Sequence, residues 1–519
     1  MNSQNLNNTK ILYYILSIIS LFYQLIIFNT INDFIVILII FFSNLITASY
    51  CLNNKNFFEY PISLLMILFS HFINLGGALY LKSFELSLVT ENLEMPLYTV
   101  MNLAIFNLLL ILSHYLYIKN NFTNNIKNFL KDFFIKNELF DIKNINFLYL
   151  LSFIALVGRL FYLDFNTIGL DQESGKGLSL FQNLVNGYAF IYVMPIVIFF
   201  GVDLFSVSVK KKNYLFFAFF VICVIFISFS RTGRAAIFDP LLLFFLLIFL
   251  RFLFNKVKVQ GTNFFRFVLI LLICFVSINF LENISKNIIL EREAKIDRTP
   301  LENAKSVLTN IIKNRDFSKY IKQREQEENI NFFVENYYKK SIFNRINILL
   351  IHDNFSYMKN SLSKSQLANL EDLQINKIIS ILPQPIINLF TDNFNKNKHQ
   401  AFTTASYLYA VVDYQYTNLS IGSSLFTLLI LFDKWTYLIL LFLFIPSFIL
   451  FDSFYDNKRK YFSPYILIFF YTTRSGVISF MAAPDIYIWI ELMFRTIPQS
   501  LLLIVILKFF FDRFFLFSK

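Results

Sequence analysis

Residues 214–254 read YLFFAFFVICVIFISFSRTGRAAIFDPLLLFFLLIFLRFLF. Two apolar runs, 214–230 and 235–254, are parted only by Arg231-Thr232-Gly233-Arg234. Each run approaches the ~20 residues that a helix needs to cross a hydrocarbon core. A four-residue junction leaves no room for anything but a tight turn between two helices. The pair predicts a transmembrane hairpin. Similar runs recur at 11–29, 34–51, 61–80, 96–118, 146–163, 179–204, 264–282, 434–452, 462–480 and 487–511. The expected fold class is therefore all-α, a polytopic bundle of about twelve spans.

Composition agrees. The 519 residues are 56% hydrophobic and 19% aromatic, and 15% are charged, against roughly 25% in soluble domains. This excludes a soluble globular enzyme, a disordered chain and a secreted disulfide scaffold. The net charge of +12 is not a nucleic-acid signal, because much of the excess sits in short loops between apolar runs. Cys51, Cys223 and Cys274 all fall inside apolar runs without a CxxC spacing, and the four histidines are scattered, so neither a disulfide framework nor a metal is expected. No cofactor and no nucleic-acid partner are expected. The run from Ile11 lacks a small-residue cleavage site and reads as a retained first span.

Loop charges set the orientation. Lys119, Lys127, Lys131, Lys136 and Lys143 follow the fourth span, Lys210, Lys211 and Lys212 the sixth, Arg251, Lys256 and Lys258 the eighth, and Lys458, Arg459 and Lys460 the tenth. The loops after spans three and five carry Glu85, Glu91 and Glu94, then Asp164, Asp171 and Glu173. Both termini are thus expected in the cytoplasm. Three parts follow: a first bundle of about nine spans over 1–282, a large outer loop over 283–433, and three last spans over 434–519. A surface helix is expected to start near Thr299-Pro300, where Thr caps and Pro takes the first helical position. Ile421 to Phe432 is apolar but too short to span, and reads as re-entrant or interfacial.

Ionisable residues inside spans are expensive and need a reason. Arg231 and Arg234 open span eight three residues apart, beside free backbone N–H groups and the positive end of the helix dipole. Two guanidinium forks there make an anion site suited to phosphate, and Gly233 allows close approach. The plain alternative is that they end the spans and snorkel to headgroups. Asp239, before Pro240, is either their counter-ion or a polar group beside a kink. Arg474 lies well inside span eleven, where a lone Arg faces a cavity, a carboxylate or an anionic substrate. Glu491 and Arg495 are spaced to pair with each other. Arg159 is a substrate-binding candidate that snorkeling explains equally well. In the outer loop, Phe343-Asn344-Arg345-Ile346-Asn347 precedes His352-Asp353, which are acid–base candidates set against a solvated-loop reading.

Walker A, GxGxxG, HExxH and GxSxG signatures are missing. Outward arginines without nucleotide or metal motifs suggest a lipid-pyrophosphate donor, whose leaving group is already activated and needs only clamping and orientation.

With these features the chain resembles the bacterial oligosaccharide repeat-unit (O-antigen) polymerases, including the enterobacterial common antigen type. The resemblance rests on the span count, the Arg231–Arg234 turn and one large late outer loop. That loop carries an Arg-Ile-Asn segment, Arg345 to Asn347, and ends in Pro383-Gln384-Pro385 and the Ser-Ile-Gly-Ser element Ser420 to Ser423. It implies a glycosyltransferase in the bacterial inner membrane that moves a growing glycan from undecaprenyl pyrophosphate onto a new lipid-linked repeat at the outer face. A chain-length regulator is an implied partner. Arg231 and Arg234 would hold pyrophosphate, and Arg345 would contact glycan or phosphate. Arg474 matches no motif of the family. The general base stays open among His352, Asp353 and Asp413. Tyr407, Tyr409, Tyr414 and Tyr416 either stack on sugars or anchor at the interface. The competing readings are an O-antigen ligase, which tends to depend on a loop histidine (His352 or His399 here), and a lipid-linked oligosaccharide flippase.

Overall fold

The computed structural model describes residues 4–140, 145–161, 189–205, 213–231, 235–254, 282–284, 286–288, 299–313, 337–340, 343–382, 384–389, 394, 404–411, 422–465 and 486–516. The chain is mostly helical. Helices α1 (Gln4–Ile27), α2 (Ile31–Cys51), α3 (Pro61–Phe84) and α4 (Pro96–Lys119) are long and apolar enough to cross a membrane. Shorter helices follow: α5 (Asn121–Lys136), α6 (Ile145–Phe161), α7 (Met194–Phe200), α8 (Tyr214–Arg231) and α9 (Ala235–Leu253). The loop region contributes α10 (Pro300–Lys313), α11 (Leu349–Ser361), α12 (Lys364–Ile379), α13 (Thr404–Val411) and α14 (Ser424–Phe432). Two more helices of membrane-crossing length, α15 (Trp435–Asp452) and α16 (Tyr487–Phe511), flank a two-stranded hairpin of β1 (Tyr455–Asp456) and β2 (Tyr461–Phe462). The expected spans 264–282 and 462–480 lie wholly or mostly outside the described residues.

The burial pattern of α1 is inverted relative to a soluble helix. Its inward face carries Ser17, Ser20 and Gln24, while Ile11, Ile15, Ile18, Phe22 and Ile26 face outward. Water would penalise that arrangement, but lipid makes it favourable, since apolar surface gains nothing further by burial and polar groups bind helix to helix. Gln24 shows the binding: its amide donates to the Ser83 hydroxyl of α3 at 3.2 Å and, just past that helix, to the Ser87 carbonyl at 2.9 Å, and it accepts from the Val89 N–H at 3.0 Å. Only 17% of the apolar stretch of α1 is buried inside the protein, against 83% for α3, so α1 is peripheral and α3 central. Asn54 reaches back to the Asn7 side chain at 3.0 Å, which returns the end of α2 to the start of α1 and fixes an up-and-down order.

Local sequence explains the helix starts. Thr30 and Asp33 form a capping box on α2, with Thr30 N–H to Asp33 at 2.9 Å and Asp33 N–H to Thr30 at 3.1 Å. Thr299 and Glu302 repeat it on α10, which begins at Pro300 as its sequence suggests. Helices α3 and α4 are different. Both begin with Pro, after Tyr60 and Met95, and neither of those side chains supplies a cap.

The central helix α3 is interrupted by a π turn over Phe72–Gly76. A π turn inserts one residue and disturbs the regular carbonyl partners. Segments elsewhere in the chain supply donors there. Asn347 donates its amide to the Phe72 carbonyl at 3.1 Å, and the Ile348 N–H meets the Ile73 carbonyl at 3.0 Å. The wound turn also crowds its glycines. A Cβ on Gly77 would overlap the Phe72 carbonyl oxygen, and one on Gly76 would lie 2.6 Å from His71 Nε2. We therefore expect Gly77→Ala to destabilise the protein by about 1–3 kcal/mol through overpacking, although Ala is normally the better helix former. The test is a thermal melt of the two proteins in the same detergent; an equal or higher midpoint for the variant would contradict the π-turn account.

Candidate functional site

Loop residues pack into the side of the bundle. Glu85, just past the end of α3, accepts the N–H groups of Lys339 at 3.0 Å and Lys340 at 2.8 Å. From there the chain runs back along α3 until Asn347 and Ile348 meet the π turn. Ile73 precedes Glu85 by twelve residues, so this descent covers about 18 Å of helix axis. Helix α11 then climbs back to the start of α4. Reading the sequence alone places about 283–419 outside the membrane and makes only Ile421 to Phe432 re-entrant or interfacial; the structure lays Asn347, Ile348 and His352 against the middle of α3.

His352 is fully buried, and both ring nitrogens are used. Nε2 lies 3.0 Å from Asn74 Oδ1 and Nδ1 lies 2.7 Å from Ser423 Oγ. The neighbours fix the tautomer. The Asn74 amide nitrogen donates to the Ser70 carbonyl at 2.7 Å, leaving its oxygen to accept from His352 Nε2–H. Ser423 then donates its hydroxyl to Nδ1, while its oxygen caps α14 by accepting the Phe426 N–H at 3.2 Å. Burial pushes the imidazole pKa down to about 3, so the ring is neutral at physiological pH. Proton transfer by His352 would require breaking one of these bonds. The residue joins three segments: the π turn, α11, and the Ser-Ile-Gly-Ser element that leads into α14.

The expected short apolar segment, Ile421 to Phe432, contains α14, nine residues long and buried along most of its length. It packs on α11, and α15 follows after the two residues Asp433 and Lys434. Asp433 takes a left-handed φ of 42° at this turn and accepts from Lys359 at 3.1 Å.

Asp353 does different work from its neighbour. It accepts the N–H groups of Glu94 at 2.5 Å and Met95 at 3.1 Å, and the Thr99 hydroxyl at 2.8 Å. It thus holds the start of α4 by fixing the two residues ahead of the helix and the Thr99 hydroxyl one turn in. Asp452 serves α3 in the same way at the other end of the bundle. Its carboxylate accepts the Ser63 N–H at 3.0 Å, the Ser63 hydroxyl at 2.6 Å and the Tyr117 hydroxyl at 3.2 Å. Behind it, His114 Nε2 meets Ser63 Oγ at 2.7 Å, and Nδ1 meets the Tyr50 hydroxyl at 2.9 Å. Reading for charged residues in spans passes over Asp452 and His114, although an Asp and a His near span ends were signal enough.

Helix α10 packs along α8, toward its Arg231 end, burying Phe229 with Ala304 and Val307, and Asn303 donates to the Ser230 carbonyl at 3.4 Å. Helix α10 therefore lies at the end of α8 that leads into Arg231. The side chains of Arg231, Asp239 and Arg345, and all of Gly233, Arg234, Pro383, His399, Asp413, Tyr414, Tyr416, Ser420 and Arg474, lie outside the described residues. Arg159 lies with its guanidinium 4.0 Å from the centre of the Tyr192 ring, a cation–π contact. Arg495 pairs with Glu491 at 3.0 Å, one turn apart, across a second π turn over Leu492–Thr496. Tyr407 donates to the Gln366 carbonyl at 2.9 Å, and Tyr409 is buried.

Burial pushes the Asp353 carboxyl up to about 6 from 3.8, against the pull of its N–H and hydroxyl donors. The folded protein therefore keeps this proton where an unfolded chain has lost it. The stability that this proton contributes is fully present below about pH 4 and is lost as pH rises through about 6. The melting temperature of wild-type protein should decline over that window relative to Asp353→Asn, whose profile should be flatter there. Asp353→Ala, which strands the Glu94 and Met95 N–H groups, should cost about 1–3 kcal/mol. Melts across pH in one detergent decide both points.

No family model, characterised protein sequence or solved structure matches the chain.

Proposed function

We propose that the protein is a membrane glycosyltransferase of the oligosaccharide repeat-unit polymerase kind. It would extend a glycan by transferring the growing chain from undecaprenyl pyrophosphate onto a new lipid-linked repeat at the outer face of the bacterial inner membrane. Both termini would be cytoplasmic, and a chain-length regulator would be a natural partner. The observation that carries this reading is the docking of the late loop into the bundle. Asn347, Ile348 and His352 hold it to the π turn of α3, and α10 holds it to the Arg231 end of α8, where the sequence Arg231-Thr232-Gly233-Arg234 leads into the next helix. An enzyme acting on a lipid-anchored diphosphate needs such a boundary, with cationic groups at headgroup depth and a folded loop above them to orient the acceptor.

In this mechanism Arg231 and Arg234 clamp the pyrophosphate and stabilise the charge that develops on it as the glycosidic bond to the carrier breaks. Arg345 and Arg474 are further substrate contacts. The acceptor hydroxyl attacks the anomeric carbon, and its proton passes to a base. His352, held neutral with both nitrogens bonded, serves better as a fastener than as that base. The same geometry favours a polymerase over a ligase that relies on a loop histidine. A flippase is disfavoured because the late loop is bound to the middle of α3 at Phe72, Ile73 and Asn74, where a transporter needs its spans free to move.

Deletion of the gene in its native host should collapse the surface-glycan ladder to a single anchored repeat. Complementation with Arg231→Ala or Arg234→Ala should restore less than about a tenth of the long-chain material, at membrane levels equal to wild type. Loss of every anchored repeat on deletion would point instead to a ligase or flippase.

A further inference from the structure

Helix α5 follows α4 with only Asn120 between them, and its N-terminus is capped by the Asn120 side chain, which accepts the Phe122 N–H at 2.8 Å. Its sequence, NFTNNIKNFLKDFFIK, has three faces rather than two. Thr123, Lys127 and Phe134 are buried against the ends of the spans, where Lys127 lies 4.2 Å from the centre of the Tyr60 ring and Phe134 stacks on Phe454 at 4.2 Å. Asn121, Asn125, Asn128 and Asp132 form an exposed polar face. Between these runs a stripe at helical spacing, Phe122, Ile126, Phe129 and Phe133. Its three phenylalanines are 69%, 70% and 50% exposed. Three aromatic rings in a row on an otherwise polar helix would be a liability in water.

We propose that α5 is an interfacial helix whose phenylalanine stripe inserts among acyl chains while the basic residues around it bind the headgroups of anionic phospholipid. Three observations choose lipid over a protein partner. The stripe belongs to a helix that begins one residue after α4, whose own flank exposes Leu108, Leu112 and Tyr115, so the same solvent must meet both surfaces. The polar face gives the helix a water side, as a helix lying in the interface requires. The surrounding charge is positive: Lys119 and Lys136 are exposed at the two ends of α5, and the turn between β1 and β2 adds Lys458, Arg459 and Lys460 at the same end of the bundle. That hairpin is attached beside α5 by the Ser463 hydroxyl, which donates to the Leu139 carbonyl at 2.7 Å. Of the nearby acids, Glu138 is taken by Lys508 at 2.6 Å and Asp456 by Arg459 at 3.7 Å, and Asp132 lies on the polar face; Lys119, Lys136, Lys458 and Lys460 keep the surrounding charge positive. Lys and Arg next to such a surface attract anionic headgroups, and salt weakens the attraction. The proposal is independent of the glycan chemistry above.

The test uses the full-length protein in nanodiscs of phosphatidylcholine, with and without phosphatidylglycerol. An NBD fluorophore is placed at Phe129→Cys or at Asn128→Cys, with Cys51, Cys223 and Cys274 replaced by Ser. At 129 the emission should be blue-shifted and quenched by brominated acyl chains; at 128 it should be water-like. In a second measurement, on protein with its native cysteines, phosphatidylglycerol retained through native mass spectrometry should fall several-fold in Lys119→Gln/Lys136→Gln. Water-like emission at 129 would overturn the proposal. So would blue-shifted emission that brominated lipid leaves unquenched, which would put a protein or a second copy on the stripe. Unchanged retention in the lysine variant would overturn the headgroup assignment.

Discussion

The Phe72 and Ile73 carbonyls govern the way this protein is joined together. Inside a bilayer a backbone oxygen must find its donor within the protein, since water is absent and the cost of leaving it bare is several kcal/mol. The Phe72 oxygen accepts the Gly77 N–H across the π turn and the Asn347 amide as a second donor, and the Ile73 oxygen accepts the Ile348 N–H. A loop that sequence places outside the spans is thereby bound to the most deeply buried helix of the bundle. His352, one turn further on, secures the same junction through Asn74 and extends it to Ser423 and α14. The loop is part of the bundle's hydrogen-bond accounting rather than an appendage to it.

The same constraint explains where the carboxylates sit. Helices α3 and α4 start with proline after residues whose side chains supply no cap, so their first turns need acceptors from elsewhere. Asp452 accepts the first-turn Ser63 N–H of α3, and Asp353, at the opposite end of the bundle, fixes the backbone of Glu94 and Met95 just ahead of α4. Each is an expensive charge in a buried place, and each is surrounded by donors that favour its ionised form. Sequence reasoning that searches spans for costly charges looks for substrate partners first. Here two such charges hold helix starts instead, and each also accepts a hydroxyl from the helix packed around it.

Helix positions were legible in the sequence because hydrophobic run length is a strong signal: 61–80 and 96–118 match α3 and α4 to within a few residues, and Thr299-Pro300 marks the start of α10. The pairing of Glu491 with Arg495 was legible for the same local reason. The junctions were not. Asn347 meets Phe72 across 275 positions, Asp353 meets Met95 across 258, and Asp452 meets Ser63 across 389, and no local pattern announces any of them. Nor does Phe72-Ile73-Asn74-Leu75-Gly76 carry a proline to betray its π turn. The faces of α5 are a different case. The spacing of Phe122, Ile126, Phe129 and Phe133 was readable, but a count of lysines for orientation passes over it.

The two ends of the bundle share buried polar fasteners and differ in what they expose. At the end where the loop docks, polar side chains are buried and matched donor to acceptor, which gives fixed geometry and a low tolerance for misplacement. At the other end Asp452, Ser63 and His114 are buried and matched likewise, and outside them lie the exposed phenylalanines and lysines of α5, for which we propose a boundary between water and hydrocarbon. Chemistry on a lipid-anchored substrate demands both properties at once. The reacting groups must be held within tenths of an ångström, while the protein keeps a constant depth so that the substrate's headgroup arrives at the same height each time. For the proposed chemistry, a rigid loop junction without a membrane reference would be correctly shaped but set at the wrong depth, and an anchored bundle with a loose loop would do the reverse.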